Sequence, residues 1–391
     1  MRRIGVIAVF ASLFVYAGRP LLAAAAASGL TPAAAWSGLF GLAVLPLLPV
    51  FTTRKHPFPR RSAMHWVGYA TLGVFSTLLV VVLLSDIVRG ILLLTDAAVS
   101  HREISIGALL AAVALSIVGL VQARCPGVKR VAIPVDALPP SLDGYRIVQW
   151  SDVHVGPTIQ RRFLESLVER TNALEPDAIA ITGDLIDGYL ADLREHVQPL
   201  GGLRARDGVF YVTGNHEYYW RASEWIPELQ RLGLVFLKNE HRVIGNDLVI
   251  AGVTDPVGRY THKQDAHKAL KDAPADAFKI LLSHRPQTAR VAEKLGAHLQ
   301  LSGHTHGGQF FPFSLFIRWF QPIVAGLHRV GSLWLYVSRG TGHWGPPSRL
   351  GVGGEITVIT LQSAHDGKRA GGLSGLESDR RIGRRHDDRV V

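Results

Sequence analysis

Five short runs in this chain carry side chains able to bind a cation or move a proton. They are Asp152-Val153-His154 after IVQW, Gly183-Asp184-Leu185-Ile186-Asp187 after AIAIT, Gly214-Asn215-His216-Glu217 after FYVT, Ser283-His284 after ILL, and Gly303-His304-Thr305-His306 after LQLS. Taken singly, each is ordinary turn chemistry, with Asp capping and Gly supplying positive φ. Taken together, they form a set of carboxylate, amide and imidazole donors without a thiolate. Such a set suits Mn, Fe, Zn or Mg rather than a structural zinc site.

The elements that must position these residues are legible around them. Each run follows a short β-rich stretch, and α/β proteins place ligands at strand ends. Strands are expected at 145–150, 178–182, 209–213, 248–253, 279–283, 298–301, 333–337 and 356–361, with helices at 160–174, 222–232 and 287–294. This alternation predicts an α/β domain over 144–362, after a linker at 126–143. The Gly-, Ser-, Arg- and Asp-rich residues 363–391 are expected to form a disordered tail.

Residues 1–125 read differently. Apolar stretches at 4–30, 33–51, 66–84 and 104–121 approach or meet the ~20 residues a helix needs to cross ~30 Å of hydrocarbon, which predicts about four transmembrane helices. Pro46 and Pro49 can kink the second or make it re-entrant. The MetArgArg start and the alanines at 23–27 leave a cleaved signal peptide as the other reading of the first. Arg2, Arg3, Arg54, Lys55, Arg60, Arg61, Arg124, Lys129 and Arg130 all fall on one side of a four-span arrangement. The loop with Asp86, Arg89, Asp96, Arg102 and Glu103 falls on the other. The positive-inside rule then makes this a multi-pass cell-membrane protein with a cytoplasmic catalytic domain; an extracytoplasmic domain is the alternative.

Charge narrows the partners. Of the formal +11, residues 1–130 hold 12 Lys/Arg against 3 Asp/Glu, and residues 131–362 hold 23 against 23. A neutral soluble part argues against nucleic acid, whose phosphates call for a cationic face. Cys125 is the only cysteine, so no intrachain disulfide can form.

In order and in spacing, the five runs resemble the calcineurin-like metallophosphoesterases, and the apolar start resembles a membrane-associated branch of that family. The resemblance implies a two-sheet β-sandwich core flanked by helices, preceded by an all-α transmembrane region. It also implies two divalent metal ions and a phosphoester substrate. Asp152, His154 and His306 would bind one ion, Asn215, His284 and His304 the other, and Asp184 would bridge both. A bridging carboxylate holds two cations roughly 3.5–4 Å apart, so that a shared water loses its proton near neutral pH and attacks phosphorus in line with the leaving oxygen. By the same resemblance His216 helps to expel the leaving group and Asp187 orients it, which fits the tautomer control that a general acid needs.

Other residues carry two readings each. Glu217 can hold the turn or a ligand histidine. Gln309 can touch substrate or cap its loop. Tyr218 and Tyr219 can line the cleft or anchor a helix, and Arg285 can reach a phosphate or form a surface ion pair. The loop 338–345 can offer backbone amides to a phosphate or be a tight turn, and His343 is not needed as a ligand. The aromatic stretch 310–327 can be a lipid-facing lip, with acyl chains against Phe313, Phe316, Trp319 and Phe320. It can equally be a buried edge of the core, which the ordinary burial of aromatics favours. For function, hydrolysis of a phosphomonoester or phosphodiester leads, with a lipid or lipid-linked ester as one substrate class. A membrane-tethered metal-binding regulatory or scaffold domain without turnover is the alternative. A channel fits poorly, because Arg19 is the main ionisable residue inside the spans.

Overall fold

The computed structural model describes residues 2–27, 29, 31–51, 57–94, 100–259 and 262–364. Four helices come first: α1 (Arg2–Ala27), α2 (Pro32–Val44, continued by a 3-10 stretch Leu45–Phe51), α3 (Phe58–Leu93) and α4 (His101–Arg124). Ser100 and Glu103 form a capping box that starts α4. The segments Pro32–Phe51, Phe58–Leu93 and Arg102–Arg124 are long and apolar enough to cross a membrane, whereas the described part of α1 offers a shorter apolar stretch, Ser12–Ala26. Leu83, Ile87, Ile91, Leu110 and Ile117 are exposed on α3 and α4, as lipid-facing positions would be.

The helices depart from the expected spans in two ways. α3 runs past both ends of 66–84, so Asp86 and Arg89 lie on a helix rather than in a loop, and Arg102 and Glu103 lie on α4. Arg54, Lys55 and Asp96 lie outside the described residues. Arg19 also has a partner. Its Nη2 lies 2.6 Å from Asp86 Oδ2, which accepts a second hydrogen bond from the Tyr16 hydroxyl at 2.7 Å. An ion pair of this kind lowers the cost of charge inside a helix bundle.

The strands are β1 (Gly127–Val135), β2 (Arg146–Trp150), β3 (Ala178–Thr182), β4 (Val209–Val212), β5 (Leu234–Phe236), β6 (Glu240–Ile244), β7 (Leu248–Gly252), β8 (Phe278–Leu282), β9 (Leu299–Ser302), β10 (Gly326–Val330), β11 (Leu333–Val337) and β12 (Glu355–Ser363). They form two mixed sheets, ordered β1-β12-β2-β3-β4-β5 and β10-β11-β9-β8-β7-β6. The central strands are apolar on both faces because both faces are covered. In β2–β4, Ile147, Ala180 and Phe210 face the second sheet, while Trp150, Ile181 and Tyr211 face the helices outside. Those outer helices are α5 (Arg161–Asn172), α6 (Leu190–Val197), α7 (Asn215–Tyr219) and α8 (Ala222–Arg231); α9 (Ala266–Leu270) and α10 (Ala289–Lys294) cover the second sheet, and α11 (Phe313–Phe316) is a single turn.

The stretch 126–143 is not a linker. Only Cys125 and Pro126 separate β1 from α4, and β1 pairs in parallel with β12 over nine registered positions, from Gly127 to Val135, with Ile133 entering the core. An edge strand carrying Lys129, Arg130 and Pro134 shows little apolar alternation, which hides it in the sequence. The helix bundle is therefore joined to the sheet without slack. The expected tail lies outside the described residues from 365 onward; Ser363 still belongs to β12.

Candidate metal centre

The ends of β2, β3, β4, β8 and β9 meet at one edge of the sandwich, and the five polar runs meet there with them. Three groups of ligand-capable atoms lie within 4.8 Å of one another: Asp152, His154 and His306; His154, Asp184 and His216; and Asp184, His284 and His304. His154 Nε2 is 3.1 Å from His306 Nε2, and His306 Nε2 is 3.4 Å from Asp152 Oδ1. His284 Nε2 lies 3.2 Å from Asp184 Oδ2 and 3.1 Å from His304 Nδ1. Asp184 belongs to two of the groups, so one carboxylate touches both halves of the cluster.

The backbone is bent to achieve this. Asp152, His154, Asp184, His304 and His306 all adopt left-handed φ, between 50° and 72°. Each such non-glycine residue costs about 1–3 kcal/mol, strain that persists where surrounding structure enforces it. Buried Glu217 is one enforcer. Its carboxylate accepts hydrogen bonds from the amides of Asp184, Leu185, Ile186 and Gly214 at 2.7–3.2 Å. Burial and the nearby Asp184 charge push its pKa up to about 7. Gly214 packs so closely that a Cβ there would lie 2.1 Å from Asp184 Oδ1.

The donor set fits cations. Asn215 Oδ1 and His154 Nδ1 are buried and have no hydrogen-bond partner among the described residues, an arrangement that is costly unless something else satisfies them. Burial, then the charge of His216, pulls His154 down to about 4; burial, then the charges of His284 and Arg285, takes His304 to about 3, leaving both neutral as ligands must be. Burial alone would lower His284, yet Asp184 and Asp152 carry it up to about 10. The site favours positive charge.

His216 shares one of these groups with His154 and Asp184, and its ring is held from the cleft side. Its Nδ1 lies 3.0 Å from Asp187 Oδ1, and Trp220 Nε1 donates to the same oxygen at 2.6 Å. Burial would lower its pKa, but the Asp187 hydrogen bond and the charges of Asp184 and Asp187 outweigh that and raise it. The cleft in front of it, about 510 Å³, is walled by His154, Tyr189, Tyr219, Trp220 and Trp344 on one side.

The other two-sided residues now divide. Tyr219 lines the cleft, whereas Tyr218 bonds Thr213 and His262 behind it. Gln309 holds the Trp344 backbone from both sides, its Nε2 donating to Trp344 O at 2.8 Å and its Oε1 accepting from Trp344 N at 3.0 Å. Arg285 pairs with buried Asp255 at 2.8 Å. The amides of Thr341 and Gly342 donate to Ser151 O and Asp152 O, at 2.7 and 3.1 Å, so this loop braces the Asp152 turn and those two amides are not free for a phosphate. His343 is buried beside it and is absent from the ligand groups. In 310–327 the favoured reading, burial, is overturned: Phe313, Leu315, Phe316, Trp319 and Phe320 are exposed, Trp319 to 77%.

Sequence reasoning missed two things. Arg349 is fully buried; it donates to His306 O at 3.0 Å and lies 3.2 Å from His306 Nδ1. Nothing in its spacing signals this. The second is the far wall of the cleft, formed by Phe58, Arg61, His65 and Tyr69 of α3, a stretch read as loop and membrane span. The period of four in Arg61, His65 and Tyr69 was the available signal.

Comparison with known proteins agrees with this geometry. Residues 145–308 match the calcineurin-like phosphoesterase family. The chain is 33% identical over 240 residues to an uncharacterized metallophosphoesterase of Aquifex aeolicus, covering 60% of this chain and 91% of that one. The chain belongs to the calcineurin-like metallophosphoesterase family. It is also 42% identical over 268 residues to a Bos taurus protein described as a transmembrane protein with metallophosphoesterase domain, and 38% identical over 280 residues to the Danio rerio protein of the same description. These matches cover 64% and 68% of this chain, and the chain spans 60% and 64% of those relatives' lengths.

Proposed function

We propose that this protein is a binuclear metal-dependent phosphohydrolase that cleaves a phosphomonoester or phosphodiester. The observation that carries this is the sharing of the buried Asp184 carboxylate between two groups of ligand-capable side chains. In this reading Asp152, His154 and His306 hold one divalent ion, Asn215, His284 and His304 the other, and Asp184 both. The metals, when bound, supply the Lewis acidity and the activated water of an in-line displacement. The chain supplies the rest. His216, kept protonated by Asp187, stands at the cleft side of the cluster and donates its proton to the departing oxygen. Trp220 fixes the Asp187 carboxylate that aims it. A scaffold without turnover would have no use for this proton donor.

The finer reading is a lipid or lipid-linked ester. It is supported by the exposed aromatic turn at α11, which is tied to Leu350 through Phe311 N, 3.0 Å from Leu350 O, beside the point where Arg349 N bonds Gly119 O of α4 at 3.0 Å. Aromatic side chains at that level suit a membrane interface. A cytoplasmic orientation is supported by Arg60, Arg61, Arg124, Lys129 and Arg130, all at the catalytic-domain end of α3 and α4.

Asp184→Asn tests the core of the proposal. In the full-length, metal-loaded protein it should lower kcat for bis(p-nitrophenyl) phosphate by at least about 10³-fold, a loss on the scale of removing a major electrostatic group. Turnover within tenfold of wild type contradicts a bridging role.

A further inference from the structure

One wall of the cleft is a helix long and apolar enough to cross a membrane. Phe58, Arg61, His65 and Tyr69 lie along one stripe of α3 and face His154, Asp187 and His216 across the cleft. That stripe is latched to the catalytic domain. Arg61 Nη2 is 2.6 Å from Asp192 Oδ1, the Ser62 hydroxyl donates to Pro157 O at 2.7 Å, and Gln160 Nε2 donates to Ser62 Oγ at 2.7 Å. His65 is braced on its own helix, Nδ1 2.8 Å from Arg61 O, and its ring lies 5.6 Å from that of Tyr69.

The same helix sets the depth of the cleft relative to a bilayer. A methyl group on Gly73 of α3 would meet Pro346 Cβ at 3.6 Å, and one on Gly119 of α4 would meet Ser348 Oγ at 2.5 Å, so both helices leave the catalytic domain at one level. From there α3 has about 30 Å left to Leu93, and α4 about 27 Å back to His101, at 1.5 Å per residue. Each remainder matches the ~30 Å hydrocarbon thickness. Tyr69, one turn before Gly73, then lies roughly 6 Å outside the hydrocarbon, inside the headgroup shell, which is roughly 5–8 Å thick on each side.

We infer that the first three turns of α3 are the specificity wall of the site, with His65 and Tyr69 contacting the part of the phosphoester that leads back to the membrane, so that the enzyme takes lipid phosphoesters from the adjacent leaflet without extracting them. This rests on the phosphoesterase reading above. A lipid headgroup entering at the level of Tyr69 passes along one helical face to reach His216 and the metal cluster, while its chains stay beside α3.

The test uses full-length protein in detergent micelles and two probes with the same leaving group, p-nitrophenyl hexadecyl phosphate and p-nitrophenyl methyl phosphate. Wild type should show the higher kcat/KM for the hexadecyl ester. His65→Ala and Tyr69→Ala should each reduce the hexadecyl-to-methyl ratio at least fivefold, mainly through KM. Val67→Ala, on an exposed face of the same helix, should leave the ratio at its wild-type value. A partly unfolded variant does not disturb the reading, because both esters are cleaved by the same folded molecules. Cleavage of both esters with a ratio that neither substitution moves overturns the wall alone. Cleavage of neither ester, with the monoester p-nitrophenyl phosphate also left intact, overturns the phosphoesterase reading and the inference with it; cleavage of p-nitrophenyl phosphate alone overturns the inference and leaves that reading standing.

Discussion

Two neighbours determine what His216 can do. Asp187 holds one ring nitrogen at 3.0 Å, and the carboxylates of Asp184 and Asp187 raise its pKa against the effect of burial. A raised imidazole pKa keeps the proton available further into the neutral range, so the step that needs it should slow as pH rises through that value, and not as pH falls. His216→Ala should then cost about 10²-fold or more on an alkyl ester and less than about tenfold on a p-nitrophenyl ester, whose leaving group needs no proton. Equal losses on both esters would remove His216 from the general-acid role. The candidate ligand types and their convergence at the strand ends were legible in the sequence because metal chemistry restricts donors to few residues. What held them was less legible. The left-handed turns at Asp152, His154, Asp184, His304 and His306 and the guanidinium of Arg349 under His306 depend on long-range packing, which leaves no local pattern.

Among the elements, all eight strands read from apolar runs are present to within two residues, and the four missed ones share a cause. β1, β5, β6 and β10 are the outer strands of the two sheets. An edge strand is covered on fewer sides, so its sequence is shorter or more mixed in polarity, as in the exposed middle of β6, Arg242 and Val243. The consequence is largest at β1. Reading it as a linker would leave the helix bundle free to swing, whereas its pairing with β12 fixes α4 to the sheet and so fixes α3 over the cleft. The aromatic residues around α11 misled in the opposite sense. Their hydrophobicity suggests a core, but they are exposed.

Across the whole molecule, the bundle and the sandwich share one site, with α3 serving both as a candidate span and as a cleft wall. The orientation can be checked with the chain's own cysteine. Cys125 is exposed at the end of α4, on the catalytic-domain side. In intact cells it should resist a membrane-impermeant maleimide and react after permeabilisation; labelling without permeabilisation would place the catalytic domain outside. The central claim is the two-metal site, and the most direct measurement is metal content per chain, by elemental analysis of the purified full-length protein after loading and removal of free ions. Two divalent ions per chain, falling to one or none in Asp184→Asn, is the predicted result. One ion or none in the wild type, or two retained in Asp184→Asn, would contradict it.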